Sequence, residues 1–188
     1  MKKNFLSSYF YCDIHHRRNI RLDGYDYTQA GAYFITICTY ERECLFGNVV
    51  EGNMQLNDLG RIVADEWLKT ADIRPEIGLD AWVVMPNHFH GIVVMINGRG
   101  TARRAPTTEQ FGKPVAGSIP TIIRSFKSAA TKRINEFRHT PGMPVWQRNY
   151  YEHIIRNETS LAKIREYIIN NPQQWELDRE NPTNIRTD

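Results

Sequence analysis

Cysteine is scarce in this sequence. Cys12, Cys38 and Cys44 are an odd number without the close spacing of a metal knuckle, so neither a disulfide scaffold nor a cysteine zinc site is expected. Long apolar runs are missing as well: nothing approaches the roughly 18 residues of a membrane span. The opening Met1-Lys2-Lys3-Asn4-Phe5-Leu6-Ser7-Ser8 lacks the apolar stretch of a secretory signal. A cytoplasmic protein with no membrane partner is therefore expected. No internal repeat is seen, which sets aside solenoids and propellers.

What is present is ordinary globular composition, 41% hydrophobic and 24% charged over 188 residues, which sets aside wholesale disorder. One domain over 1–188 is expected, with an N-terminal extension over 1–30 and a C-terminal tail over 173–188. The net charge is only +3, but it is unevenly spread. Between Arg99 and Arg138 nine cationic residues face two acidic ones, a local excess of +7 that leaves −4 for the remainder. Such a block reads as a solvated face or flexible loop, and equally as the footprint of a protein that binds a phosphate backbone.

The pattern of elements follows from side-chain type and period. Ala32-Tyr33-Phe34-Ile35-Thr36-Ile37-Cys38-Thr39 is β-branched and aromatic and reads as a buried strand. A second strand near Leu45 to Glu51 is expected to pair with it through a turn at Glu41 to Glu43. Gly52-Asn53 then makes a turn, and Asn57 or Asp58 caps a helix carrying Leu59, Ile62, Val63 and Trp67. Two further strands, Leu79 to Val84 and His88 to Ile96, flank the turn Met85-Pro86-Asn87. The glycine- and proline-bearing stretch 97–120 is expected to be a mobile loop. After it, Ile119 to Phe137 forms an amphipathic basic helix, with Ile122, Ile123, Phe126, Ala130 and Ile134 on one stripe. A last helix runs from Glu158 to Asn170 or Asn171 and stops at Pro172. These elements predict an α+β fold with helices packed mainly on one face of an antiparallel sheet.

Two groups of residues carry chemistry. In Met85-Pro86-Asn87-His88-Phe89-His90-Gly91 the alternation of a strand turns His88 and His90 to the same side. Two neutral imidazoles that converge suit a divalent metal able to polarise a phosphate oxygen. A bare His-x-His is weak by itself and is more often structural or incidental; here Gly91 is read as leaving room beside the pair, and the apolar strand as holding both rings rigid. In the last helix, Lys163, Tyr167 and Asn171 are spaced by four and form one row at the border of the Leu161, Ile164, Ile168 stripe. From that row Tyr167 can reach a cleft, Asn171 can offer its amide oxygen to a metal, and Lys163 can favour the phenolate that a nucleophilic tyrosine requires. Spacing alone more readily fits a packing tyrosine with a wet hydroxyl.

Nucleic-acid contacts are expected from Trp146, Arg148, Tyr150, Tyr151 and Arg156, since aromatic rings stack on bases and guanidinium groups hold phosphates. The same aromatics serve equally as core anchors. Arg17, Arg18 and Tyr25 at the front, and Arg124, Lys127 and Lys132 on the basic helix, extend that candidate surface together with Lys163. His153 reads as a structural histidine rather than a third metal ligand.

In their order along the chain, five blocks resemble the REP-associated tyrosine transposases, relatives of the single-tyrosine HUH transposases of bacterial insertion sequences. They are His15-His16-Arg17-Arg18 with Gly24-Tyr25-Asp26-Tyr27, Gly31 to Thr36, Met85 to Gly91, Trp146-Gln147 with Tyr150 to Arg156, and Tyr167-Ile168 with Asn170-Asn171-Pro172. The resemblance implies a ferredoxin-like sheet whose central strand carries the histidine pair. It implies Mg²⁺ or Mn²⁺ held by His88, His90 and Asn171, with Tyr167 as the nucleophile rather than Tyr150 or Tyr151. It also implies cleavage and transfer of single-stranded or hairpin DNA at palindromic repeats, by a monomer or homodimer. Two rivals stay open: a metal phosphoesterase in which the histidines act without covalent tyrosine chemistry, and a DNA-binding module that has given up catalysis.

Overall fold

A computed structural model describes residues 25–96 and 115–184. Cys12, Arg17, Arg18 and nearly all of the expected N-terminal extension and mobile loop lie outside them, as does the end of the expected C-terminal tail. Among the described residues the order is β1 (Gly31–Cys38), β2 (Gly47–Val50), β3 (Asn53–Leu56), α1 (Asp58–Asp72), β4 (Ile77–Val84), β5 (His88–Met95), α2 (Ile119–Arg138), β6 (Tyr151–Ile155) and α3 (Glu158–Asn170). Short 3₁₀ segments, Pro172–Leu177 and Pro182–Asn184, follow α3.

The main sheet is antiparallel throughout, in the order β4-β5-β1-β6. Two β-α-β units interleave in it: β1 and β4 are joined through α1 with β5 between them, and β5 and β6 through α2 with β1 between them. This is the ferredoxin-like arrangement. The buried apolar residues of β1 and β5 dictate the centre of the sheet, since a strand apolar on both faces must be covered on both. Tyr33, Ile35, Ile37, Phe89 and Val93 turn to α1 and α2 and meet Trp67 and Phe126, while Phe34, Ile92 and Ile155 turn to Ile164 and Ile168 of α3. Two of the three helices thus share one face, and α3 alone lies on the other. Among the described residues, no helix is long and apolar enough to cross a membrane.

Local chemistry explains the boundaries. Asn57 caps α1 by accepting a hydrogen bond from the Gly60 amide, and Asn157 does the same for α3 through Ser160. Pro120, placed in the expected loop, lies in the first turn of α2, where a missing amide proton costs nothing.

Three expectations are corrected. The strand near Leu45 to Glu51 does not pair with β1. Glu41 and Arg42 both take left-handed backbone conformations, with φ of 52° and 58°, and the chain leaves the sheet there, so β2 closes a separate hairpin with β3. β6, which pairs with β1, had no counterpart in the sequence reading, because Tyr151 to Ile155 offers an edge strand's short, mixed pattern rather than a long apolar one. Gly91 does not make room for the histidines: it faces the opposite side of the sheet. A Cβ there would stand 2.7 Å from Cζ2 of Trp67, so the glycine admits the indole of α1.

Candidate active site

Strand alternation on β5 places His88 and His90 on the α3 face, with ring centroids 4.6 Å apart. Both rings are buried, at 0% and 2% exposure. Each is held by its Nδ1. The His88 Nδ1 lies 2.9 Å from Asn87 Oδ1, and the Asn87 amide nitrogen donates to the carbonyls of Arg42 and Glu180. The amide orientation is thereby set: Oδ1 can only accept, so His88 carries its proton on Nδ1 and its Nε2 is a bare lone pair. His90 Nδ1 is 2.8 Å from Thr36 Oγ1 on the neighbouring strand β1. A partner behind Nδ1 that leaves Nε2 facing the site is the arrangement by which proteins orient metal-binding histidines.

From across the sheet, α3 brings Tyr167 and Asn171. The Tyr167 hydroxyl lies 3.3 Å from His90 Nε2. Phe34 stands beneath, stacked on His90 at 5.4 Å and edge-on to Tyr167 at 6.1 Å. Asn171 is 1% exposed and lies beside both His88 and Tyr167. Its Oδ1 and the His88 Nε2 are both buried without a hydrogen bond of normal geometry. Two uncompensated lone pairs in a dry pocket are unfavourable, and they are what a cation would satisfy. Among the described residues no third histidine, cysteine or carboxylate completes a metal cluster; the Asn171 amide oxygen is an oxygen that could join the two imidazoles. It suits Mg²⁺ or Mn²⁺, which accept oxygen with imidazole.

Burial pushes both imidazoles below the ordinary histidine range. His90, next to His88, is lowered well below it, while the carboxylates of Asp178 and Glu180 partly offset the effect on His88. Both are therefore neutral and available as ligands near pH 7. Burial, joined by the Asp178 carboxylate, pushes the Tyr167 hydroxyl above the ordinary phenol range, and Asn171 works against this. Lys163 was expected to favour the phenolate. It is exposed on α3, and the charges that act on Tyr167 are carboxylates instead.

Those carboxylates belong to the segment after α3. Its Trp175 ring lies 6.0 Å from that of His88, and Glu180 pairs with Arg42 and lies 3.6 Å from Cys38 Sγ. Arg165, two residues before Tyr167, makes a bidentate ion pair with Asp80 of β4, with nitrogen to oxygen distances of 2.6 to 3.1 Å. Neither the clasp nor the contacts of the acidic segment with Arg42 and His88 were singled out from sequence, because they join residues about 80 or more positions apart.

The other expected contacts scatter. Trp146 is buried against Phe46 and Phe126 as a core anchor. Tyr150 packs on the same α1 and α2 side, as does Tyr25, whose hydroxyl lies 3.2 Å from that of Tyr33. Lys127 is spent on the carbonyls of Gln147, Arg148 and Asn149, at 2.7 to 3.4 Å. Arg124 and Lys132 are exposed on α2, in the layer away from Tyr167, and two open hollows of about 500 and 520 Å³ lie there beside Lys132 and Asn135. Arg148 and Arg156 are exposed at the two ends of the β6 region.

Comparison with known proteins finds no family model that matches. A Haemophilus influenzae protein of uncharacterised function is 44% identical over 170 residues, covering 88% of this chain and 93% of its own. A second Haemophilus influenzae protein, assigned to the REP-associated tyrosine transposases, is 26% identical over 149 residues, covering 78% of this chain and 73% of its own. Among solved structures, a REP-associated tyrosine transposase bound to a REP hairpin superposes with a TM-score of 0.52 at 21% identity, over 86% of this chain and 74% of that one.

Proposed function

This chain belongs with the REP-associated tyrosine transposases, and on that premise we propose that it cleaves and rejoins single-stranded or hairpin DNA through Tyr167. One observation carries the reading: a tyrosine hydroxyl 3.3 Å from one buried imidazole, beside a second imidazole and an amide oxygen whose lone pairs have no partner. A divalent cation, Mg²⁺ or Mn²⁺, held by His88, His90 and Asn171 would polarise the scissile phosphate and favour the tyrosinate. Asn87 and Thr36 keep the two imidazoles turned toward that position, and Asn171 bridges the histidines to the nucleophile.

Tyr167 attacks the phosphorus in line. The hydroxyl proton passes to solvent as a bond forms from its oxygen to phosphorus, the bond to the 3′ oxygen breaks, and that oxygen takes up a proton from solvent and leaves as a hydroxyl. The 5′ phosphate stays on the tyrosine. Because one phosphodiester replaces another, a second 3′-hydroxyl can reverse the step and join strands without a nucleotide cofactor.

The test is incubation of wild type and Tyr167→Phe with labelled stem-loop DNA from palindromic repeats near the gene, with Mn²⁺ or with chelator. A covalent protein-DNA adduct that requires both Mn²⁺ and Tyr167 is expected. Equal cleavage by Tyr167→Phe without adduct would make the histidines the catalytic groups and retire the tyrosine. Binding without any cleavage would leave a recognition module.

A further inference from the structure

Glu180, in the segment after α3, reaches the histidine pair through a single side chain, that of Asn87. The Asn87 amide nitrogen donates to the Arg42 carbonyl at 3.1 Å and to the Glu180 carbonyl at 2.5 Å, and its oxygen lies 2.9 Å from His88 Nδ1. A carbonyl only accepts, so the two carbonyls together decide which end of the amide faces them. The other end is thereby given to His88. The Asn87 main chain has little freedom of its own, since its carbonyl accepts from both the amide and the hydroxyl of Thr39, at 2.9 and 3.0 Å. Asn87 and His88 are both buried, so bulk solvent offers no substitute for these partners.

The two residues that supply the carbonyls are themselves an ion pair. Arg42 and Glu180 meet through mostly buried side chains, so the same two residues are joined once by charge and once across the Asn87 amide. Arg42 arrives there on a left-handed backbone, with φ of 58°, a conformation that a non-glycine residue keeps where its surroundings hold it. Glu180 arrives on a turn fixed by its own segment. Its amide donates to Asp178 Oδ1 at 2.8 Å, and Asn181 reaches back to the Trp175 carbonyl at 3.0 Å. Cys38 Sγ stands 3.6 Å from Glu180 Oε2 as a further donor to the carboxylate.

We propose that Glu180 is a positioning residue of the metal site: paired with Arg42, it seats its main-chain carbonyl on the Asn87 amide, fixes the orientation of that amide and so keeps the His88 Nε2 lone pair aimed at the cation. This rests on the reading of His88 as a metal ligand. It makes the segment 172–181 part of the site. In this role Glu180 acts through Asn87, which separates it from the through-space effect of the same carboxylate on His88 and Tyr167.

The experiment measures Mn²⁺ binding to the DNA-free, full-length protein by electron paramagnetic resonance of the free ion. Glu180→Ala is expected to bind Mn²⁺ about 10- to 100-fold more weakly than wild type, the range for loss of an outer partner of a ligating histidine. Asn87→Ala should lose as much. The double variant should lose no more than either single one, because the two residues act in series. The charge-swapped pair, Arg42→Glu with Glu180→Arg, should recover part of the affinity. In metal-free protein, ¹⁵N-histidine NMR should find the His88 proton on Nδ1 in wild type. In Glu180→Ala a share of the other tautomer should appear, since an amide with one carbonyl fewer can reverse. Glu180→Gln, which keeps the length of the side chain, takes the place of Glu180→Ala should urea titration show that variant unfolded.

Wild-type affinity in the Glu180 variant would overturn the proposal. So would losses from Asn87→Ala and Glu180→Ala that add in the double variant, which would leave Glu180 acting by charge alone, and so would an unchanged His88 tautomer. If these negative results come with a wild type that binds Mn²⁺, only the role of Glu180 falls. A wild type that binds no Mn²⁺ overturns the metal reading and the proposal with it.

Discussion

At the scale of single residues, the site is a place where polar atoms have been left without partners. His88 Nε2 and Asn171 Oδ1 are buried and unpaired, and burying such atoms costs about 1 to 3 kcal/mol each. A folded protein retains that cost where a ligand recovers it. Addition of Mn²⁺ is therefore expected to raise the unfolding temperature, in proportion to the logarithm of its concentration above the dissociation constant. In His88→Ala the rise should largely vanish, as followed by differential scanning calorimetry. A wild type unmoved by Mn²⁺ would argue against the three-donor site. Gly91 serves packing instead. An added methyl must displace Trp67 and Phe89, since its Cβ would stand 2.7 and 2.8 Å from them. Gly91→Ala is expected to lose about 1 to 3 kcal/mol in urea titration, the usual cost of overpacking.

At the scale of elements, the question is what holds α3. Its fully buried side chains are only Ile164 and Ile168, a narrow apolar contact for the helix that carries the proposed nucleophile. Asn157 caps its start, and the Arg165–Asp80 clasp ties it to β4. The clasp is partly exposed, so its worth lies more in orientation than in stability. Asp80→Asn is expected to lower kcat of cleavage while leaving DNA affinity nearly unchanged, and the double exchange Asp80→Arg with Arg165→Asp to recover part of the rate. Arg165 holds the Asp80 carboxyl below its usual range. A depressed carboxylate contributes fully above its unfolded value of about 4, and its contribution is lost as pH falls through the folded value. Any stability gap between wild type and Asp80→Asn should accordingly narrow below about pH 4, as read by urea titration at a series of pH values.

At the scale of the molecule, the Tyr167 hydroxyl, both histidines and the Asn171 amide oxygen meet within one chain, across the single layer contact of α3 on the sheet. A His88→Ala chain mixed with a Tyr167→Phe chain is then expected to regain no adduct formation, and wild-type activity per molecule to be independent of protein concentration. Recovery on mixing would mean that α3 is exchanged between copies. The basic side chains of α2 occupy the opposite layer from Tyr167. A substrate that touches both must pass around the sheet, which a hairpin with a single-stranded flank can do more readily than a straight duplex.

Sequence by itself determined what depends on neighbours a few positions apart. The buried strand β1, the Asn57 cap, the His88 and His90 pair on one strand face, and Tyr167 with Asn171 on one helical row all follow from periods of two and of nearly four. The resemblance to a known family then chose among the tyrosines. Tertiary structure alone decided what depends on residues brought together from afar. It decided that α3 crosses the sheet so that the helical row meets the strand pair, and that Asn87 and Thr36 set the histidine ring orientations. It also decided that Asp80 clasps Arg165, that acidic residues rather than Lys163 face Tyr167, and that Trp146 sinks into the core. A side chain's period says which way it points from its own element. Only the packing of elements says what it points at.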